Sequence, residues 1–422
     1  MIKVKEFPSG LKVVMNKLDG FLSVATGMWI GTGSAFESQK ENGISHFIEH
    51  MLFKGTKNLT AFEISDKVDS VGGQLNAFTS RETTCYYTWT TKQHVGMSCE
   101  LLSDMLFNSL FASEELAKEK GVVLEEISMS NDNPEDVCFD ALFTKIYGDC
   151  SVGQTILGTS QNVEGFDKNA IKDYMQKHYN AKNVVLSVVG NIEFEEVEAL
   201  CEKYFESGFK ADHNENLGYE LPTFTQGFVS NTKDIEQCHL TLAMPSICFN
   251  HKQGYEYSMI NNILGGGMTS RLFQKIREED GLCYTIYSYN SLNKNSGTHL
   301  IYTGINPKNI DKCLSGIFGV MQDLKKNAIT KEEFNRAKEQ MKGNMILSQE
   351  SCQNQMMLAG KYMVMTDEIF NMEQRVESIS KISFDSVVDI IQNQMFDFEK
   401  ISASVVSKEL IDIQSIIQSK IN

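Results

Sequence analysis

The sequence predicts an α+β protein made of two homologous α/β-sandwich domains, each an antiparallel-rich sheet covered by helices and duplicated within the chain. Three observations predict it. The order of strand and helix signals runs through twice; 422 residues suffice for two or more domains with ample cores; and a composition of 41% hydrophobic and 22% charged residues is that of an ordinary globular protein.

The elements follow in order. After a leading hairpin, Val24 to Ile30 reads as a strand. Helices follow at 44–54 and 61–71, then a strand pair within 74–91, two helices across 95–133, the strand VVLSVVG and a further helix. The second half repeats the pattern, with the strand HLTLAM, a helix from Tyr255, the helix SRLFQKIRE and a strand pair at 283–304. Helices from Asn309 and Lys331 and the strand ISASVV complete it. Such a repeat implies duplicated halves of about 200 residues. The expected division is residues 1–210, a polar linker at 211–226 containing DHNENLGYELP, and residues 227–422.

Charge and cysteine usage narrow the function classes. A net charge of −16 argues against nucleic acid or an anionic membrane as partner and mildly favours cationic peptides. The N-terminus, MIKVKEFPSGLKVVMNKLDG, has no apolar core of the length an export signal needs, and no run long enough to span a membrane occurs. Ten cysteines at irregular spacing without a CxxC fit reduced thiols in a cytoplasmic protein better than a disulfide framework.

The most informative residues are HFIEH at 46–50. At about 100° per residue, His46 and His50 lie roughly 40° apart and Glu49 about 60° to the other side of His46, so the three share one helical face. Ile44, Phe47, Ile48, Met51 and Leu52 take the opposite face. Side chains at i and i+4 stack one turn apart and can aim two imidazoles at one zinc ion. Glu49 is then free to act as a general base without ligating. The order H-x-x-E-H is the inverzincin signature. A structural zinc site competes as a reading, but such sites close with four protein ligands and favour Cys, and this helix has none.

A third ligand must come from elsewhere. SEELAKEKGVVLEEISMSNDNP, residues 113–134, reads as a helix stopped at Asn133-Pro134. Leu116, Val123, Leu124 and Ile127 form its buried stripe, with Glu119 and Glu126 together on the edge and Glu125 about 100° further away. Periodicity therefore favours Glu126 as the ligand and Glu119 as its neighbour.

HFIEHMLFKGT at 46–56, GGQLNAFTSRETTCYY at 72–87, EKGVVLEEI at 119–127, ILGT at 156–159 and GGGMTSRLFQKIREEDGLCY at 265–284 are similar to blocks of peptidase family M16, in family order. This is the pitrilysin, insulinase and mitochondrial processing peptidase type, and the chain is nearest the short M16B-like zinc metallopeptidases. The resemblance implies one zinc per chain held by His46, His50 and Glu126 with a water as fourth ligand. It implies Glu49 as catalytic base and Glu119 as an assisting catalytic carboxylate. It also implies that Asn76, Ala77 and Phe78 form a substrate-binding edge strand beside the metal, where an extended peptide adds by backbone hydrogen bonds. Arg277 and Tyr284 match a pair that engages the substrate carbonyl; Tyr284 would donate to the developing oxyanion and Arg277 would fix the adjacent backbone. Gly265-Gly266-Gly267 lacks phosphate-loop spacing and reads as a turn. One departure stands out: DCSVGQTILGT at 149–159 lacks the His-Pro and Arg often found before the ILGT block, which bears on local substrate contacts.

The halves are not chemically equivalent, because the second has YSMINNILGGG where the first has HFIEH. Longer family members enclose substrate with four such domains. A two-domain chain is therefore expected to pair, as a homodimer or with a related subunit, with Arg277 and Tyr284 serving a zinc site in cis or in trans. The expected activity is endopeptidase cleavage of peptides or unfolded, extended segments inside that chamber. The alternative is a non-catalytic subunit or scaffold that binds peptide or partner chains.

Overall fold

The structure, a computed structural model, describes residues 2–209 and 218–421. The first part of the expected linker, 211–217, lies outside the described residues. From Gly218 to Gly227 the chain carries no regular element.

Six strands form the first sheet: β1 (Ile2–Glu6), β2 (Lys12–Lys17), β3 (Ser23–Ile30), β4 (Gln74–Thr79), β5 (Thr84–Thr91) and β6 (Val184–Gly190). Their order is β1-β2-β6-β3-β5-β4. Only the β2–β6 pair is parallel. The second sheet holds β7 (Phe228–Thr232), β8 (Cys238–Ser246), β9 (Cys283–Leu292), β10 (Gly297–Ile305) and β11 (Ser402–Ser407), in the order β7-β11-β8-β10-β9. Here β7–β11 is the parallel pair. Leaving out β1, the two orders superpose strand for strand, parallel pair included. The α+β duplication read from the sequence is present.

The first five α-helices are α1 (Ile44–Leu52), α2 (Ala61–Asp69), α3 (Val95–Asn108), α4 (Ser113–Asp132) and α5 (Pro134–Tyr147), of which α1 and α4 carry the candidate site. The Asn133-Pro134 stop has a second role. Asn133 caps α5 by accepting the Glu135 N–H, and Pro134 occupies its first turn, where a missing N–H costs nothing.

Strand alternation sorts the first sheet's side chains onto two faces. Val24, Met28 and Ile30 enter a core with Phe47 and Ile48 of α1 and Leu101, Leu102 and Met105 of α3. Ala25 and Trp29 point the other way, to Met356, Ala359 and Met363 of the Cys352–Thr366 helix. Ser187 Oγ donates to the Met356 carbonyl, and Gly360 lies so close to Trp29 that a Cβ there would come within 2.0 Å of the indole Nε1. In the second sheet Leu240, Leu242, Met244 and Ile301 build the core with Ile260, Ile263 and Leu264 of the Gly254–Gly265 helix. The far face carries α5: Tyr287 donates to Glu135, Tyr147 is hydrogen-bonded to Thr298, and the Cys138 thiol to the Ser404 carbonyl.

Each sheet thus has both faces covered, and the covering helix comes from the other half of the sequence. The compact units are Met1–Ser128 with Thr155–Tyr219 and Ile346–Asn371, and Met129–Gln154 with Glu220–Met345 and Met372–Asn422. They differ from the contiguous division at 210 and 227 because a sheet buried on both faces needs a second layer, and α5 and the Cys352–Thr366 helix supply it crosswise. All ten cysteines are free thiols. No helix among the described residues is long and apolar enough to cross a membrane.

Candidate metal centre

Helix α1 begins at Gly43, whose φ of 99° suits glycine, and buries Ile44, Phe47, Ile48, Met51 and Leu52. That burial turns His46, Glu49 and His50 to its other side. In α4 the buried stripe is Leu116, Glu119, Val123 and Ile127; Glu126 lies at its edge and Glu125 is exposed. The two helices bring three donor atoms together. His46 Nε2 and His50 Nε2 are 3.3 Å apart, and Glu126 Oε2 is 3.6 Å from the first and 3.4 Å from the second. Among the described residues no other trio of His, Cys, Asp or Glu converges so closely. Tetrahedral zinc with bonds of about 2.0–2.1 Å has ligands about 3.3–3.4 Å apart, so this triangle fits the ion at once and leaves one vertex open.

The electrostatics suit ligation. Burial, with help from the charge of His50, lowers the His46 pKa to about 4, so its ring is a neutral donor at physiological pH. Burial also opposes charge on His50, but the Glu119 hydrogen bond and the carboxylates of Glu126, Glu119 and Glu49 outweigh it and raise its pKa. Glu119, 3% exposed, does not join the triangle. Its Oε1 takes a hydrogen bond from His50 Nδ1 at 2.8 Å, and its Oε2 pairs with Lys54 Nζ at 2.7 Å. Burial works against that carboxylate's charge, but His50 and Lys54 more than compensate and hold its pKa below the usual range. A carboxylate on the distal nitrogen fixes the tautomer and the ring plane of a metal-binding histidine. His46 has no such partner, and its Nδ1 is buried without a hydrogen bond.

Glu49 accepts a hydrogen bond from Thr79 Oγ1 at the end of β4. Burial raises its pKa, partly offset by Thr79 and His50 and reinforced by Glu126. A carboxylate moved toward neutrality is suited to take and return a proton.

Strand β4 has β5 on one side and no partner on the other among the described residues. The Ala77 N–H is met by its neighbour's side chain, Asn76 Oδ1, at 2.8 Å, a bond that an incoming peptide carbonyl can replace. Leu75 and Ala77 face the core shared with α1. Phe78 points to the opposite face and packs edge-on against Trp29, 5.5 Å between centroids, so any contact it makes with a peptide on this edge is through its backbone.

Arg277 and Tyr284 belong to the second compact unit. They lie against one another, the guanidinium carbon 4.8 Å from the Tyr284 ring centroid and 4.6 Å from that of Phe273. Tyr284 is 76% exposed. The glycine run 265–267 lies at the end of the Gly254–Gly265 helix and in the turn after it, as expected.

Three residues not singled out from the sequence lie around these groups: Lys54 pairs with Glu119, Thr79 donates to Glu49, and Glu37 accepts the Gly43 and Ser45 N–H groups at the start of α1. Lys54 follows His50 by one turn and could have been sought as a counter-charge for Glu119. Thr79 sits inside the NAFTS block. Glu37 carries no local signal beyond the fact that Gly43, with no side chain, cannot cap its own helix.

Two imidazoles and a carboxylate at these separations are a donor set able to hold one zinc ion. The pattern described as "Insulinase (Peptidase family M16)" matches residues 12–160, and that described as "Peptidase M16 inactive domain" matches 165–341. The chain is 39% identical over 387 residues to a Bacillus subtilis protein described as an uncharacterized zinc protease, covering 92% of this chain and 94% of that one. A Rickettsia bellii protein of the same description is 33% identical over 405 residues, 95% and 97% of the two chains. In fold it matches "a protease from Helicobacter pylori", with a TM-score of 0.89, 23% identity, and 96% and 99% of the chains covered. It also matches a "peptidase M16 inactive domain" from Pseudomonas fluorescens, with a TM-score of 0.90, 18% identity, and 97% and 98% covered. The chain belongs to peptidase family M16.

Proposed function

We propose that this protein is a zinc-dependent endopeptidase that cleaves peptides or unfolded, extended polypeptide segments, with one zinc per chain. The observation that carries the reading is the triangle of His46, His50 and Glu126 with Glu49 spared from ligation on the same helix. The relatives' description as zinc proteases supports it.

His46, His50 and Glu126 would hold the zinc ion, which when bound would supply Lewis-acid activation of a water and of the scissile carbonyl. Glu49 takes the proton of the attacking water and delivers it to the leaving amine. Thr79 holds the Glu49 carboxylate in place. Glu119, backed by Lys54, keeps His50 presenting Nε2. The free edge of β4 receives the peptide as an added strand, the Ala77 N–H exchanging Asn76 for the substrate carbonyl. Tyr284 donates to the oxyanion that forms at the cleaved carbonyl, and Arg277 orients the adjacent backbone, in the same chain or in a partner. The working unit is a dimer, of two copies or with a related subunit, in a reducing cytoplasmic compartment where its ten free thiols persist.

The alternative is a non-catalytic peptide-binding subunit. The inactive-domain description covers 165–341 and so lies outside all three ligands. Stripping the metal with a chelator and restoring zinc separates the readings: cleavage of a quenched fluorescent peptide stops and returns. Cleavage that persists in fully stripped protein contradicts the proposal.

A further inference from the structure

The two histidines of the centre are held unequally. His50 has a carboxylate on its distal nitrogen, whereas His46 Nδ1 is buried with no partner. The place of His46 Nε2 must therefore come from the backbone of the first turn of α1. That turn cannot cap itself, because Gly43 stands at the cap position without a side chain, and the first N–H groups of any helix need outside acceptors.

Glu37 supplies them. Its carboxylate is 3% exposed and accepts the Gly43 N–H at 2.7 Å through Oε2 and the Ser45 N–H at 2.8 Å through Oε1, with the Asn42 amide at 3.2 Å. Burial pushes its pKa up to about 7 against those hydrogen bonds. A buried acid is a costly cap, but position 43 cannot carry the usual Ser or Asp, because Gly43 is buried at a φ of 99° and a Cβ there would lie 2.7 Å from the Leu157 carbonyl oxygen. What an ordinary cap does not supply is a fixed tether to the preceding loop. Two further contacts hold the same turn. Ser45 Oγ is hydrogen-bonded to Tyr174 Oη at 2.9 Å, and Tyr174 to Thr32 Oγ1 at 3.1 Å. Gly158, from the ILGT block, lies against Asn42 and Gly43 so closely that a Cβ there would be 2.3 Å from the Asn42 carbonyl oxygen. His46 is the next residue after Ser45.

We propose that Glu37 is a positioning residue of the metal centre: by gripping the Gly43 and Ser45 amides it sets the rotation and depth of the first turn of α1, and with it the place of His46 Nε2, with Tyr174 supporting the same turn through Ser45. The inference rests on the peptidase reading for its catalytic consequence, but its effect on metal binding stands apart from that reading.

The test compares wild type with Glu37→Gln, Tyr174→Phe and a control, Ser351→Ala, which removes the cap of the Cys352–Thr366 helix on the other face of the same sheet. Zinc affinity is measured by chelator competition, kcat and KM on a quenched peptide at saturating zinc, and stability by thermal melting. Glu37→Gln is expected to weaken zinc binding about 10–100-fold, the loss typical when a metal site's outer support is removed, and to lower kcat with little change in KM. Tyr174→Phe shifts both in the same direction by a smaller factor, and Ser351→Ala lowers the melting temperature only. Should Glu37→Gln fail to fold, Tyr174→Phe decides. The proposal is overturned if the folded variants bind zinc and turn over as wild type does, or if Ser351→Ala shifts zinc affinity equally. If wild type binds zinc but cleaves nothing, the peptidase reading fails, and the affinity comparison still decides the role of Glu37.

Discussion

Replacing Glu119 with Gln tests how the centre is tuned. The carboxylate sits 3% exposed between His50 Nδ1 at 2.8 Å and Lys54 Nζ at 2.7 Å, so solvent screens it little. Glutamine keeps the shape and one acceptor oxygen but removes the charge. A charge-assisted hydrogen bond contributes about 1.5–3 kcal/mol and is roughly twice as strong as a neutral one, so the variant should lose about 0.75–1.5 kcal/mol of support for His50. Outer-shell carboxylates on zinc histidines typically contribute 10–100-fold in affinity, about 1.4–2.7 kcal/mol, and the two estimates meet at about tenfold. Competition against a fluorescent zinc chelator should show the dissociation constant rising by about 10–100-fold, with the circular dichroism spectrum unchanged. Lys54→Met is the companion. It leaves the buried carboxylate without its cation and should cost stability, yet spare zinc affinity, because Glu119 then acts on His50 alone. The reasoning fails if Glu119→Gln binds zinc as wild type does, or if Lys54→Met is the variant that loses the metal.

Of the two histidines, His50 should govern how zinc affinity falls with pH, because burial lowers the His46 pKa to about 4 whereas neighbouring carboxylates raise that of His50: log affinity should climb about one decade per pH unit just below the His50 pKa and level off above it. A climb of about two decades per unit just below the His50 pKa would show that a second ligand is protonated there too. Thr79→Val deletes the hydroxyl that donates to Glu49 and should cut kcat by about 10–100-fold, the worth of a hydrogen bond to a charged group, while KM and zinc content hold and Thr79→Ser restores the rate; an unchanged kcat refutes the link. Gly360→Ala drives a Cβ to within 2.0 Å of Trp29 Nε1, and this overpacking should cost about 1–3 kcal/mol, exceeding the gain of about 1 kcal/mol from helix propensity. Chemical denaturation that finds the variant as stable as wild type would contradict the packing.

What the sequence made legible had local periodicity behind it. His46, Glu49 and His50 fall on one face because a helix turns about 100° per residue, and Glu126 separates from Glu125 by the same rule across the stripe of Leu116, Val123 and Ile127. The element order was readable because each strand and helix carries its own pattern. What escaped was fixed by contacts far apart in sequence. The Cys352–Thr366 helix has a clear apolar face in Met356, Ala359 and Met363, but nothing in it says that this face meets Trp29. Likewise α5 begins at the proline that ends α4 and covers a sheet whose central strand starts at Cys238. Lys54, Thr79 and Glu37 are ordinary residues in their own neighbourhoods and acquire a role only from the groups that folding brings to them. Phe78 lies on the edge strand β4, and its side chain follows strand alternation to the face of Trp29, away from α1.

The most direct measurement is hydrolysis of a quenched fluorescent peptide library by wild type and by Glu49→Gln, each with its metal content determined. The account predicts that both hold about one zinc per chain and that only wild type cleaves. Cleavage by Glu49→Gln at the wild-type rate, or a wild type that carries zinc and cleaves nothing either alone or with a related subunit, would contradict it.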